Sequence, residues 1–543
     1  MSVTSTVGSE LSEAGQPRRP PASPAHAERS LKRFVPFLAA GFVAVLYFVF
    51  LLHYAKAAPT ADDWLNILIV HAAIHGHLSF SLLWVQHFES RMLFPNLLVV
   101  LLGVPTHYDP RWFIAVSAIC YIASFFLILA AVRRYLGREP QTIPTVIFAL
   151  VWFSLAGIYD ALWAFQLGFY LVILALAVVL YCLLIPRRRR PLWLALAAIA
   201  AVVASFSFVQ GLALWPVGLV LILFSVPLTR KTAVEVGVWL GAAAVTTGLY
   251  FWNFNLAGTN SLCIKHCGVG YSLSHPGLTL SYWTRMVGNI IPSRPSSFGP
   301  VRSLLPGPTG AMQIVLGGIL TAAAVFVVIQ SLRERRRKPM VALPLGIVAF
   351  ALLADMMIVS GRVSLGSPGS AEYTLTQTIL LAGLYIFAWE HSYELLAVAR
   401  PVRRGGWKIA ISACVGLSLL VLVSVFASAQ FGLDEAEAVS ANQQQSGQLA
   451  VNMAEVPKDL QSCYVDLIID QDLLALNDLG FTRASIDVAE HDKLAMFGPA
   501  VIGQFRAEGP PRLGPLYRRL CYKATGNSAL LQRPSKGSLQ GQS

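Results

Sequence analysis

Charge is what this 543-residue sequence has least of. Asp, Glu, Lys and Arg together make up 13% of it, against about 25% in a typical soluble domain. That scarcity excludes an ordinary soluble enzyme, a charged coiled coil and a disordered chain. Nucleotide and hydrolase signatures are missing too. No G-x-x-x-x-G-K-[ST], no G-x-G-x-x-G ahead of a strand, no G-x-S-x-G and no H-E-x-x-H occurs, so nucleotide-driven transport and zinc hydrolysis have no support. No internal repeat of fixed period is present. Cysteine is sparse, with seven in all.

Apolar sequence is what remains. Hydrophobic residues account for 55% of the chain and the mean hydropathy is +0.61. Runs near ~20 residues recur, the length needed to cross a bilayer. The reading is an all-α, multi-pass membrane protein with about eleven spans, at roughly 34–54, 112–132, 143–158, 166–185, 191–208, 211–227, 232–252, 311–330, 340–359, 374–389 and 409–428. Residues 1–30 are rich in Ser, Pro and Ala and read as a disordered tail, because they can bury nothing. They are not a signal peptide, since the apolar stretch that follows starts late and is long.

The formal net charge of +13 points to topology rather than to nucleic acid, because the basic residues sit in short clusters between apolar runs. One segment decides the orientation. Residues 93–104, LFPNLLVVLLGV, are apolar but too short to span comfortably. If they lie along the interface, 23 of the 41 basic residues fall on one side, including Arg187–Arg190 and Arg333–Lys338, and the opposite loops keep eight. The positive-inside rule prefers that arrangement. It places the N-terminus in the cytoplasm and the C-terminus outside the plasma (inner) membrane. It also divides the chain into the tail 1–30, a membrane domain 31–428 with long outer loops at 55–111 and 253–310, and an extracytoplasmic region 429–543 with a disordered end. That last region starts polar and can continue the eleventh span as a helix. CYVDLIID then reads as a strand and QDLLALNDLG as a helix stopped by Gly480.

Cysteine placement agrees with this topology. Cys120, Cys182 and Cys414 fall within spans, whereas Cys263, Cys267, Cys463 and Cys521 fall outside, where disulfides Cys263–Cys267 and Cys463–Cys521 are plausible. Zinc at C-I-K-H-C is the alternative, although the spacing matches no common zinc pattern.

The outer face carries a small set of acids: Asp62 and Asp63 in A-P-T-A-D-D-W, Glu89 in H-F-E-S-R, Asp109, Asp160 in I-Y-D-A-L-W-A-F-Q, Asp355 near the end of a span, and Glu372 in S-A-E-Y-T. An acidic pair opening the first long outer loop, a lone Asp in the second outer loop and an interfacial helix between them resemble the GT-C superfamily of membrane glycosyltransferases. H-F-E-S-R-M-L-F-P-N-L-L, D-A-L-W-A-F-Q and G-R-V-S-L-G also look like segments of uncharacterised bacterial membrane proteins often grouped with those enzymes. The resemblance implies transfer of a sugar from a polyprenyl-phosphate donor to a cell-envelope glycan, lipid or protein. It implies that Asp62 or Asp63 is the base, with Asp160 helping to organise the site. The chain departs from the pattern at Glu372, where the resembling sequences carry Arg before the Tyr.

Chemistry supplies the other candidates. A phosphate leaving group needs cations, and guanidinium binds phosphate bidentately. Arg91 and Arg362 are therefore first choices, and Lys265, Arg285 and Arg294 second choices. Glu89, Gln166 and Tyr373 offer polar contacts to substrate, and Trp64, Trp84 and Trp163 offer faces for a sugar. His71 and His75 are spaced to share a helix face and, with Asp62 or Asp63, could hold a divalent metal ion; no metal ligand is assigned. Bland readings stand beside these: a solvated loop start for the acidic pair, a turn cap for Asp160, snorkelling for Arg91 and a hydrogen bond within the bundle for Asp355. Two other functions remain open, a transporter or flippase and a non-catalytic envelope assembly protein. The enzyme reading predicts that Asp62, Asp63 and Asp160 converge on one outer cavity.

Overall fold

The computed structural model describes residues 24–137, 139–184, 190–225, 229–255, 269–290, 310–334, 342–363, 371–397, 406–456 and 479–506, with isolated positions at 368, 458 and 461. It is an all-α membrane protein. Each of the eleven apolar runs lies on a helix: α1 (Pro24–Tyr54), α5 (Pro110–Leu136), α6 (Thr142–Trp152), α8 (Leu167–Leu183), α9 (Arg190–Ser205), α10 (Leu214–Ser225), α11 (Arg230–Phe251), α14 (Gly310–Glu334), α15 (Ala342–Arg362), α16 (Thr374–Ala397) and α17 (Gly406–Val451). Among the described residues, seven helical segments are long and apolar enough to cross a membrane by length and composition alone.

Burial sorts these helices into centre and rim. The apolar window of α8 is 78% buried, and that of α15 is 72% buried. In α11 the figure is 17%, and Val234, Val238 and Val245 face outward. Helix α1 likewise exposes Phe34, Leu38 and Phe42. Contiguous exposed apolar faces of this kind suit lipid rather than water. α8 packs against α5 and α9, and α15 against α16.

Between the spans lie shorter elements. The first long loop holds α2 (Asp63–Ile74), α3 (Phe80–Leu83), a two-residue hairpin of β1 (Gln86–His87) and β2 (Ser90–Arg91), and α4 (Leu93–Thr106). The strands pair antiparallel, with Gln86 opposite Arg91 and His87 opposite Ser90. At 14 residues, α4 is about 21 Å long, short of the ~30 Å hydrocarbon thickness. It packs instead on α2, where a Cβ at Gly103 would lie 2.6 Å from Val70.

Further along are α7 (Ile158–Ala161), α12 (Val269–Ser274) and α13 (Pro276–Val287). α13 meets α14 backbone to backbone: a Cβ on Gly317 would stand 1.8 Å from the Thr284 carbonyl oxygen, and one on Gly288 would stand 1.9 Å from that of Gln313.

The polar stretch after the eleventh run continues its helix, so α17 extends unbroken for 46 residues. α18 (Leu479–His491) follows, with Gly480 in its first turn. Gly480 therefore does not stop a helix but lies near the start of one, where a glycine costs little; residues 471–478, the rest of the expected QDLLALNDLG helix, lie outside the described residues. The strand expected at CYVDLIID lies outside the described residues. The C-terminal region docks on the first loop. α18 packs on α2, and the Ala495 amide donates to the His107 carbonyl at 2.7 Å.

Candidate active site

The loop that follows α1 turns sharply before α2. Ala61 takes a positive φ of 46°, and the turn sends the two adjacent carboxylates in different directions. Asp63 folds back into the protein, where its Oδ2 accepts the Thr60 amide at 3.0 Å. It is fully buried. Burial pushes its carboxyl up to about 8 despite hydrogen bonds from the Thr60 and Phe165 backbone, and neighbouring Asp62 adds to the rise. Asp62 points the other way, into a cavity of about 140 Å³.

Segments far apart in sequence build that cavity. The hairpin contributes His87, Phe88 and Glu89 at its turn, the segment after α7 contributes Trp163, Phe165 and Gln166, and the stretch after α9 contributes Phe208 and Gln210. Arg362 closes it from the end of α15, with Glu372, Tyr373 and Thr376 from the next turn and the start of α16.

Its polar contacts form two groups. His87 Nε2 lies 3.3 Å from Asp62 Oδ2. Arg362 holds two acids, Glu89 through Nε at 3.3 Å and Glu372 through Nη1 at 3.8 Å, and its guanidinium sits 5.7 Å from the centre of the Phe88 ring. Trp163 donates its indole N–H to the Thr60 carbonyl at 3.1 Å, fixing the Asp62 turn to the segment after α7. The cavity can therefore offer a carboxylate–imidazole pair on one wall, a guanidinium with exchangeable partners on another, and aromatic faces between them.

Of the ten candidate residues, Asp62, Glu89, Trp163, Gln166, Arg362 and Tyr373 meet here. The others do not. Asp63 is a buried structural acid. Asp160 is buried behind the wall, not on it, with both carboxyl oxygens lacking a hydrogen-bond partner. Glu372 and Arg362 act on it electrostatically. The expected convergence of three acids is corrected to one acid lining the cavity and one lying behind it. The reason is local: α7 is a single turn inside the packed bundle, and it directs Asp160 inward.

Arg91 does not line the cavity. It donates to four main-chain carbonyls, those of Tyr250, Trp84, Trp252 and Asn253, at 3.3, 3.0, 2.8 and 2.9 Å. The start of the 253–310 loop is thereby clamped to the hairpin, and Arg91 acts as scaffold. Trp64 is fully buried, and Trp84 sits under the Arg91 guanidinium. Asp109 caps α5 and pairs with Arg111. Asp355 accepts two hydrogen bonds from Gln377 inside the bundle. Arg285 lies on α13 beside Gly310, away from the cavity lining. Lys265, Arg294 and the four cysteines proposed to pair lie outside the described residues. His71 and His75 meet Asp492 instead of Asp62 or Asp63.

His87, Phe165 and Gln210 went unnoticed in the sequence as site residues. For His87 the available signal was its crowding with Glu89 and Arg91 into one five-residue segment.

The fold is thus that of a polytopic helical membrane protein with a polar cavity at the first-loop end of its bundle. No protein-family model matches the chain, and no curated protein does. The chain is similar to a solved structure of the archaeal oligosaccharyltransferase AglB from Archaeoglobus fulgidus, in complex with an inhibitory peptide and a dolichol-phosphate. The identity is 14% and the TM-score 0.41, covering 80% of this chain and 60% of that one.

Proposed function

We propose that the chain is an integral-membrane glycosyltransferase of GT-C type, moving a sugar from a polyprenyl-phosphate donor to a hydroxyl of a cell-envelope glycan, lipid or protein. The observation that carries the reading is Asp62, lining a cavity opposite Arg362 and in contact with His87.

The chemistry follows from that placement. The acceptor oxygen attacks the anomeric carbon while the bond from that carbon to the phosphate oxygen breaks. The acceptor proton passes to Asp62, and polyprenyl phosphate departs with the electron pair. Displacement by one base in a single step inverts the anomeric centre. His87 orients the Asp62 carboxylate, and Arg362 exchanges Glu89 or Glu372 for the phosphate, where negative charge develops. Phe88, Trp163 and Phe165 provide faces for the sugar. A divalent ion is compatible with the reaction. Among the described residues, however, the cavity acids do not gather into a ligand set. The clustered basic residues support an orientation with the N-terminus in the cytoplasm and the cavity, the 429–543 region and the C-terminus outside the plasma membrane.

The test is sugar transfer in proteoliposomes from a panel of labelled polyprenyl-phosphate sugars. Wild type is expected to form an inverted product, and Arg362→Ala to lose at least about 100-fold in rate. Equal transfer by wild type and Arg362→Ala would contradict the reading. So would outward or inward passage of the intact lipid-linked sugar without transfer, which is the flippase outcome.

A further inference from the structure

The far end of α2 carries a second titratable cluster that the proposed reaction does not use. Asp63 opens this helix beside the cavity, and His71 and His75 lie eight and twelve residues further on, about 12 and 18 Å along the axis. Their spacing of four puts both imidazoles on one face, with ring centres 4.5 Å apart. The C-terminal region inserts one carboxylate between them. His71 Nδ1 lies 2.5 Å from Asp492 Oδ2, and His75 Nε2 lies 3.1 Å from Oδ1. A third imidazole, His491, holds Oδ1 from the other side at 2.7 Å.

We infer that His71, His75 and Asp492 form a binding site for a divalent transition metal of the zinc type, which staples α18 to α2. Three arguments carry this. The first is the donor set. Two imidazole nitrogens and a carboxylate oxygen, all within 4.8 Å of one another, suit Zn²⁺, whose bonds to N and O of about 2.0–2.2 Å put tetrahedral ligands about 3.3 Å apart. Imidazole donors do not suit Mg²⁺ or Ca²⁺, which take oxygen.

The second is burial. The Asp492 side chain is only 4% exposed, and a carboxylate withdrawn from water needs positive charge beside it. A dication held between the two rings supplies it directly.

The third is access. The His71 and His75 side chains are 36% and 38% exposed, which leaves the fourth coordination position open to water. His491 then serves as a positioning residue, donating to the metal-bound carboxylate as outer partners of metal ligands do.

The inference is independent of sugar transfer, and its test reads binding and docking rather than activity. Full-length protein, tag removed and stripped with chelator, is titrated with ZnCl₂ by calorimetry in detergent. Wild type is expected to bind one equivalent in the micromolar range or tighter. His75→Ala and Asp492→Asn are expected to weaken binding at least about 100-fold. His77→Ala, on an exposed neighbour outside the cluster, is expected to change it by less than about twofold. Zinc should also slow protease cleavage after residue 479 in wild type but not in His75→Ala, and Mg²⁺ should do neither. His75 is a half-exposed position whose replacement leaves the core intact, so this variant reports on binding and not on folding. The inference is overturned if wild type binds no zinc, if His75→Ala binds it as tightly as wild type, or if His77→Ala loses as much as His75→Ala.

Discussion

One short helix joins two clusters of opposite character. At the start of α2, Asp62 enters a cavity whose walls are held by buried hydrogen bonds: Arg91 on four carbonyls, Trp163 on Thr60, and Asp63 on the Thr60 amide. At its end, His71 and His75 stand half in solvent, held by one carboxylate from the C-terminal region. The first end is a rigid frame that presents a few exchangeable polar groups, which is what positioning a reacting atom requires. The second end is a docked contact whose imidazoles are open to solvent on one side, so a ligand can reach it. Similar residue types therefore serve different purposes, and what surrounds them decides which.

The contrast can be broken from the cavity side. Arg91→Ala leaves the carbonyls of Trp84, Tyr250, Trp252 and Asn253 without this donor. It should cost about 3 kcal/mol, seen as a lower unfolding midpoint in detergent, while zinc binding at the far end of α2 persists. If zinc binding collapses with it, the two ends are one unit and the contrast is wrong.

A smaller effect sharpens it. Asp63 has its carboxyl raised to about 8 by burial, from an ordinary value of 3.8. A group raised on folding favours the native state when protonated. Its contribution is complete below about pH 4 and is lost as pH rises toward 8, by up to about 1.4 kcal/mol per unit. Thermal midpoints of wild type should fall across that window, and those of Asp63→Asn should stay flatter. An identical slope in both would show that Asp63 is not buried in this way. The smallest change, Trp163→Phe, keeps an aromatic face and removes only the indole donor to Thr60. It should cost about 1 kcal/mol and lower transfer several-fold through a loosened Asp62 turn.

Much of the fold was legible in the sequence because a membrane imposes simple rules. Apolar runs near ~20 residues located the helices, and the polar start of the C-terminal region continued the last of them, as α17 shows. The site was legible only in part. Asp62, Glu89 and Arg362 could be named as outer-face charges, but their convergence could not.

Arg91 reads as a free cation in sequence, because the carbonyls that occupy it are mostly about 160 residues away. Asp62 and Asp63 are indistinguishable until a positive-φ residue before them sets their directions. The partner of His71 and His75 stands 421 and 417 positions further along the chain, beyond any local pattern. Two-residue strands such as β1 and β2 carry too little periodicity to detect.

The most direct test of the central claim compares two nearly isosteric substitutions one residue apart. Transfer from a polyprenyl-phosphate sugar is measured in membranes holding equal amounts of wild type, Asp62→Asn and Asp63→Asn. If Asp62 is the general base, Asp62→Asn falls by about 10²–10⁴-fold, and Asp63→Asn, whose side chain never reaches the cavity, stays within about tenfold of wild type. If Asp62→Asn transfers as well as wild type, or if Asp63→Asn is the variant that fails, the assignment of the cavity as the catalytic centre is contradicted.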